Sequence, residues 1–233
     1  IIYAGTGLPI DRTSIRPCEG EKSVKRSIYL LALTLVGVVT LATVNDARQE
    51  RSPLFVTEVA ENLYMLGNDP AGEGMRGGGN TGIFVGSTGV TLVDTKILGY
   101  GQDILAHVQE ITDKPVTTVI NTHTHYDHSG GNVELPDTVD FVVHENTLAQ
   151  MSREQCEPVT NCDAFKGENA KYLPQTSFSE RMSLGRGTDR IELYYFGRGH
   201  TDGDTFIVYR NARTVQTGDM FARKGLPFLD VAN

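Results

Sequence analysis

Apolar and polar residues alternate in short blocks along much of the chain, a pattern typical of strands. Residues 55–67 predict two strands around Glu61 and Asn62. Further strands are predicted over residues 81–85, 90–93, 116–120, 140–143, 191–196, 205–209 and 214–217. Apolar residues at helical spacing predict a helix over 102–111, and another is predicted over 145–151, whereas residues 152–180 are too polar to assign. Strands in hairpins with helices between them indicate a layered α/β domain with sheets packed together.

The beginning of the chain has a different character. Residues 28–44 form a continuous apolar run preceded by Lys22, Lys25 and Arg26. This layout favours a secretory signal, with Thr40-Leu41-Ala42 as the best cleavage site, while the length of the run leaves a membrane anchor or a buried helix as alternatives. We assign residues 1–47 to a leader and residues 48–233 to the domain. We expect export to the periplasm or beyond, with membrane contact through the leader only.

Charge and motif context disfavour nucleic acids and dinucleotides as partners. The 233 residues contain 21 Lys and Arg against 29 Asp and Glu, giving a net charge of −8, and no basic cluster lies in the domain. Nucleic acid needs a basic surface to neutralise its phosphates, so we expect no nucleic-acid partner. Gly72-x-Gly74-x-x-Gly77 matches a dinucleotide fingerprint in spacing, but a predicted strand follows it where a helix is required.

Two cysteines remain after Cys18 is assigned to the leader. Cys156 and Cys162 lie six positions apart in a polar segment. In an exported protein such a pair is able to close a small loop as a disulfide, which we expect here, with two free thiols as the alternative.

The densest chemistry lies directly after the predicted strand 116–120. Residues 122–131 read THTHYDHSGG and place His123, His125, Asp127 and His128 within six positions. Neutral imidazole and carboxylate are the usual nitrogen and oxygen ligands of zinc and iron, and this clustering is rare by chance. The ligands therefore lie at the carboxyl end of a strand, where open α/β folds usually carry their function.

Two later residues complete the candidate set. His200 lies between glycines and a turn, and Asp219 follows a predicted strand and a glycine. The simpler interpretation of His200 is a surface residue at a turn, and that of Asp219 is a turn or cap residue. His107, inside the predicted helix, and His144, at the start of another, are expected to be structural because neither has ligand partners nearby in the sequence.

These motifs resemble those of the metallo-β-lactamase superfamily. The likeness rests on residues 122–131, on Gly-Arg-Gly-His-Thr around His200, on Gly-Asp-Met-Phe around Asp219 and on Leu-Val-Asp-Thr around Asp94. It implies an αββα sandwich. It also implies a first metal held by His123, His125 and His200, a second held by Asp127 and His128, and Asp219 bridging both. Asp94 would orient the ligand loop from outside the metal's own ligands.

The chain departs from the family at one point. No histidine follows His200, although the family supplies one more to the second metal. We therefore expect a sandwich that is incomplete at its C-terminus, with a complete first site and a labile second one.

The resemblance implies a zinc-dependent hydrolase with one or two ions. It would attack a lactone, thioester, amide or β-lactam of a small molecule with a hydroxide held by the metal, and Asp127 would orient that nucleophile. Two alternatives remain, a single-iron oxidoreductase similar to the persulfide dioxygenases and a non-catalytic metal-binding fragment. The sequence leaves the oligomeric state open.

Overall fold

The computed structural model describes residues 53–68, 77–222 and 224–233. The expected leader, and the glycine-rich stretch up to residue 76, lie outside these residues. No helix in the described ranges is long and apolar enough to cross a membrane.

Seven strands form the larger sheet in simple sequence order. They are β1 (Leu54–Ala60), β2 (Leu63–Asn68), β3 (Thr81–Val85), β4 (Val90–Val93), β5 (Val116–Ile120), β6 (Asp140–His144) and β7 (Thr176–Phe178). Strands β1 to β4 are antiparallel neighbours, whereas β4 to β7 pair in parallel. The predicted strands in this half of the chain are confirmed, and β7 falls in the segment that the pattern left unassigned.

Four antiparallel strands form the second sheet. They are β8 (Arg181–Leu184), β9 (Ile191–Tyr194), β10 (Phe206–Tyr209) and β11 (Thr214–Gln216), in the order β11-β10-β9-β8. The sequence pattern predicted the last three to within two residues at each end and missed β8.

Three α-helices lie between these strands in the described part of the chain. They are α1 (Gly101–Ile111), α2 (Tyr126–Ser129) and α3 (Glu145–Met151). The two longer helices were predicted, while the single turn α2 was expected to be loop. His144 caps α3 by accepting a hydrogen bond at Nδ1 from the amide of Asn146, which confirms its structural role.

Two separate cores explain the layers. Alternate residues of a strand point to opposite faces, so neighbouring Val119 and Ile120 of β5 enter different cores. Val119 packs with Ile104 and Val108 of α1 on one face of the larger sheet, while Ile120 packs with residues of the second sheet on the other. A strand buried on both faces has to be apolar throughout, which is why residues 116–120 read as a β-branched run. The layered α/β fold is confirmed.

The layers bring the candidate ligands to one edge. Asp94 follows β4 directly, and residues 121–125 follow β5, its parallel neighbour. His200 lies beyond β9, and Asp219 lies beyond β11 in a 3-10 turn, Gly218–Phe221. The expected disulfide between Cys156 and Cys162 is present.

Candidate metal centre

Three imidazoles converge from two layers of the fold. Ring nitrogens of His123, His125 and His200 all lie within 4.8 Å of one another, and all three side chains are buried. His125 Nδ1 and His200 Nε2 are 3.0 Å apart although 75 positions separate the residues. A second set, His123, His128 and Asp219, meets the same distance criterion, so His123 belongs to both groups.

The outer nitrogen of His128, Nδ1, is hydrogen-bonded to the carboxylate of Asp94. The distance from Nδ1 to Asp94 Oδ2 is 2.7 Å. The same carboxylate accepts hydrogen bonds from the amide of Thr122 at 2.7 Å and from its hydroxyl at 2.7 Å. Because that hydroxyl donates to Asp94, it is left to accept from His123 Nδ1 at 2.9 Å. Asp94 therefore orients two of the imidazoles, in agreement with the role that the sequence resemblance implied.

The remaining two imidazoles are oriented by residues near the end of the chain. His125 Nε2 lies 2.8 Å from Asp230 Oδ2, and His200 Nδ1 lies 2.6 Å from the carbonyl oxygen of Phe228. A carbonyl and a carboxylate are acceptors only, so both contacts require the imidazole to donate. Neither acceptor was among the candidates from the sequence, and no sequence signal marked them. The sequence Asp-Val-Ala-Asn at residues 230–233 has no feature that distinguishes it from an ordinary turn.

These four outer contacts fix which nitrogen of each imidazole faces inward. These nitrogens are His123 Nε2, His125 Nδ1, His128 Nε2 and His200 Nε2. His123 Nε2 is buried and has no hydrogen-bond partner among the residues that the structure describes, a costly state for a polar atom. His125 Nδ1 and His200 Nε2 face each other as two acceptors unless a cation or a proton lies between them. The donor set thus fits a nitrogen-preferring divalent metal such as zinc.

Carboxylates surround the His128 side of the centre. Asp219 Oδ1 lies 3.2 Å from His128 Nε2, and Asp219 Oδ2 lies 3.8 Å from His200 Nε2. The two oxygens of Asp219 therefore point toward different imidazole groups, the geometry that a bridging ligand needs. Asp127 Oδ2 is 3.6 Å from His128 Nε2. The structure brings together all six residues that the sequence singled out.

The pKa shifts differ across the centre: the pKa values of His123 and His125 are lowered, whereas that of His128 is raised. Burial, reinforced by the neighbouring imidazoles, holds the pKa of His123 well below its usual value. Burial also lowers the pKa of His125, although the hydrogen bond to Asp230 opposes it. For His128 burial would lower the pKa, but Asp94, Asp219 and Asp127 outweigh it and raise the pKa to about 10. Without a metal, a proton on His128 supplies the positive charge that the carboxylates attract.

Glycines leave the room that these side chains require. A Cβ on Gly79 would lie 2.4 Å from His128 Cε1, so any other residue there would push the imidazole aside. Gly218 has a φ of +53°, and a Cβ on it would lie 2.6 Å from Thr122 Oγ1. Both glycines are therefore required by close approach to the centre.

A cavity of about 470 Å³ opens onto the centre. Four residues of the centre contribute to its lining, namely His125, Asp127, His200 and Asp219. The rest of the lining is mainly apolar, from Tyr126, Val159, Met220, Ala222, Gly225, Pro227 and Phe228. A pocket with an apolar wall and a few convergent polar groups is the usual form of a small-molecule site.

Comparisons with known proteins indicate which family the chain resembles. Residues 74–232 match the model of the metallo-beta-lactamase superfamily. The chain is 24% identical over 200 residues to the metallo-beta-lactamase type 2 of Elizabethkingia meningoseptica, covering 84% of this chain and 71% of that protein. It is 29% identical over 142 residues to the 2,4-dinitroanisole O-demethylase subunit alpha of Nocardioides sp. (strain JS1661). That match covers 58% of this chain and 38% of the subunit, so the chain corresponds to well under half of that relative's length.

Solved structures show the same fold at low identity. A metallo-beta-lactamase from Pontibacter korlensis superimposes with a TM-score of 0.52 at 21% identity, covering 67% of this chain and 66% of that one. One from Cronobacter sakazakii gives a TM-score of 0.54 at 14% identity, covering 76% and 66%. With a family model matching most of its length and a histidine centre at the expected edge of its sheets, the chain belongs to the metallo-beta-lactamase superfamily.

Proposed function

We propose that this protein is a zinc-dependent hydrolase that cleaves an acyl bond of a small molecule. The observation that supports this best is the convergence of four inward-facing imidazole nitrogens, each oriented by an outer acceptor. In this proposal His123, His125 and His200 would hold a first ion, Asp127 and His128 would hold a second, and Asp219 would contribute to both.

Zinc at this centre would supply Lewis-acid polarisation of a carbonyl and lower the pKa of a bound water. The chain's own residues would prepare the reaction. Asp127 lines the cavity and lies beside His128, and in this proposal its carboxylate would orient the attacking water and take up its proton. The apolar wall would hold the acyl group and exclude bulk water.

The two sites are expected to differ in affinity. The first has three buried imidazoles, while the second has His128 and two carboxylates that are partly exposed. Since imidazoles with oriented outer nitrogens hold zinc most firmly, we expect this protein to bind the first ion more tightly than the second.

Metal analysis and a substrate panel test this proposal. Purified protein should contain zinc and hydrolyse at least one of a chromogenic lactone, thioester, amide and β-lactam. His123→Ala and His200→Ala should lose both zinc and activity, whereas His107→Ala should keep both. His107 is the matched control because its imidazole lies away from the centre and pairs with Glu110, at 3.0 Å on the outside of α1.

Other outcomes would favour the alternatives. A single tightly held iron and sulfur-dependent oxygen uptake would favour the oxidoreductase. Bound zinc with no turnover on any of the four substrates would favour a non-catalytic metal-binding protein. Demethylation of an aryl methyl ether would point instead to the chemistry named for the Nocardioides relative.

We also propose that the protein is exported. Support comes from the apolar run after Lys22, Lys25 and Arg26 and from the disulfide, since disulfides persist mainly in oxidising compartments. Fractionation of cells that express the full chain with a C-terminal tag would test it. Protein found only in the cytosol would contradict export.

A further inference from the structure

The loop closed by the disulfide lies directly against the metal-ligand segment. Val159, Thr160 and Asn161, inside the ring formed by Cys156 and Cys162, run antiparallel to residues 124–126. The amide of Tyr126 donates to the Val159 carbonyl at 3.0 Å, and the amide of Asn161 donates to the Thr124 carbonyl at 3.2 Å. His125 is therefore flanked on both sides by hydrogen bonds to this loop.

Side chains of the loop reinforce the same attachment. Asn161 Nδ2 donates to Ser129 Oγ at 3.0 Å, and that hydroxyl donates to the His125 carbonyl at 3.0 Å. Thr160 Oγ1 donates to Asn233 Oδ1 at 2.7 Å, and Asn233 Nδ2 donates to Asp230 Oδ2 at 2.6 Å. Asp230 is the acceptor for His125 Nε2, so the loop reaches both the backbone and the imidazole of His125.

One residue of the loop is held in a conformation that it would not adopt freely. Val159 has a φ of +65°, which is unusual for a β-branched side chain because its Cβ crowds the backbone. Such residues persist only where surrounding bonds over-determine them, and they concentrate at ligand-binding sites. Here the short disulfide ring on one side and the ligand segment on the other supply that constraint, and the Val159 side chain lines the cavity over the centre.

We infer that the Cys156–Cys162 disulfide positions His125 as a metal ligand, so that zinc affinity depends on the oxidation state of these two cysteines. The inference rests on the proposed zinc site. Once the ring opens, residues 157–161 gain conformational freedom, and the strained Val159 is free to relax. The hydrogen bonds that fix the Tyr126 and Thr124 backbone would then weaken, and His125 would lose its fixed orientation.

Zinc titration of the oxidised chain, the reduced chain and a Cys156→Ser/Cys162→Ser double variant tests this directly. A phosphine reductant suits the experiment: it donates two electrons to the S–S bond and takes oxygen from water to become the phosphine oxide, while each sulfur gains a proton. The double variant is needed because free thiols bind zinc themselves. Asp163→Ala is the matched control, since its exposed carboxylate lies beside the ring and pairs with Lys166 rather than with the ligand segment.

We expect the zinc Kd to rise about tenfold in the double variant, within the range for loss of a ligand-orienting contact, and to stay unchanged in Asp163→Ala. Hydrogen exchange of the metal-free protein should show faster exchange at the Tyr126 and Asn161 amides. Exchange at Val119 in the core strand β5 should not change. This pattern distinguishes a local loosening from global unfolding, which would accelerate all three.

Each other outcome has a definite consequence. Equal Kd in the oxidised chain and the double variant would overturn the inference and leave the proposed function intact. No zinc binding by the oxidised chain would overturn the proposed function, and unchanged exchange at Tyr126 would then overturn the positioning role as well. If the double variant fails to fold, hydrogen exchange of the reduced, metal-free wild-type chain decides, because it opens the same ring without a substitution. Exchange at the Tyr126 and Asn161 amides equal to that of the oxidised chain would overturn the inference.

Discussion

Asp230 offers the sharpest test of how the metal centre is organised. Its carboxylate is buried and accepts three hydrogen bonds, from His125 Nε2 at 2.8 Å, from Asn233 Nδ2 at 2.6 Å and from the Ala232 amide at 3.0 Å. Burial alone would raise its pKa, but these donors outweigh it and lower the pKa. Asp230 is therefore charged at neutral pH and holds the His125 imidazole with Nδ1 facing the metal.

Two substitutions perturb this contact to different extents. Asp230→Asn keeps an oxygen for His125 but removes the charge and turns an amide NH₂ toward the Ala232 amide. A hydrogen bond to a charged group is worth about 1.5–3 kcal/mol and a neutral one about 0.5–1.5, so the change costs about 1–1.5 kcal/mol. Since about 1.4 kcal/mol is a factor of ten in an equilibrium constant, we expect a zinc Kd about tenfold higher. Asp230→Ala leaves the His125 N–H buried without an acceptor and should weaken zinc binding by about 10–100-fold.

Competition with a chromogenic chelator at pH 7.5 would measure both Kd values. Asp137→Asn is the control, because it removes the same charge from an exposed residue that pairs with Lys171 away from the centre. Circular dichroism should show the same fold in all variants. Kd values for Asp230→Asn and Asp230→Ala within twofold of the wild type would refute the idea that this outer carboxylate orients His125.

Further substitutions test other parts of the structure. Gly79→Ala should displace His128 and lower the zinc content from two ions to one, measured by native mass spectrometry; retention of both ions would contradict the close packing seen there. Burial lowers the pKa of Lys96 from 10.5 to about 8, although Asp94 opposes the shift. The unfolded chain then binds more protons between these values, so wild-type stability should rise from pH 8 to 10.5 and a Lys96→Met variant should lack this rise in urea unfolding. Leu193→Ala, in the core between the sheets, should lower the free energy of unfolding by about 2–5 kcal/mol, whereas exposed Val215→Ala should change it by less than about 0.5.

Local pattern was sufficient to predict most elements of the fold. Strands β3, β4 and β5 and helix α3 have the predicted bounds, because each is defined by apolar periodicity and by turn residues at both ends. Strands β7 and β8 were missed because their alternation is short and lies in a polar context. Strand β7 also pairs with β6, whose residues lie more than 30 positions earlier and outside any local window, whereas β8 pairs with its neighbour in sequence, β9.

The candidate ligands were also readable from the sequence, because imidazoles and carboxylates that cluster at strand ends are typical of metal sites and are seldom needed for packing. The cluster itself indicated His123, His125, Asp127 and His128, strand-end position added His200 and Asp219 as candidates, and the family resemblance supplied the role expected of Asp219. What the sequence could not supply was the outer ring of acceptors. Asp230 and the Phe228 carbonyl reach the centre only because the chain folds back over it, after more than 100 residues in the case of Asp230.

Tertiary structure therefore decided the geometry that chemistry depends on. Which imidazole nitrogen faces the metal is set by the acceptor bound to the other nitrogen, and those acceptors come from separate segments. The disulfide was foreseeable as a pair of cysteines, but its place against residues 124–126 was not. A sequence records which donor atoms a protein possesses, whereas their orientation is a property of contacts between segments that meet only in the folded chain.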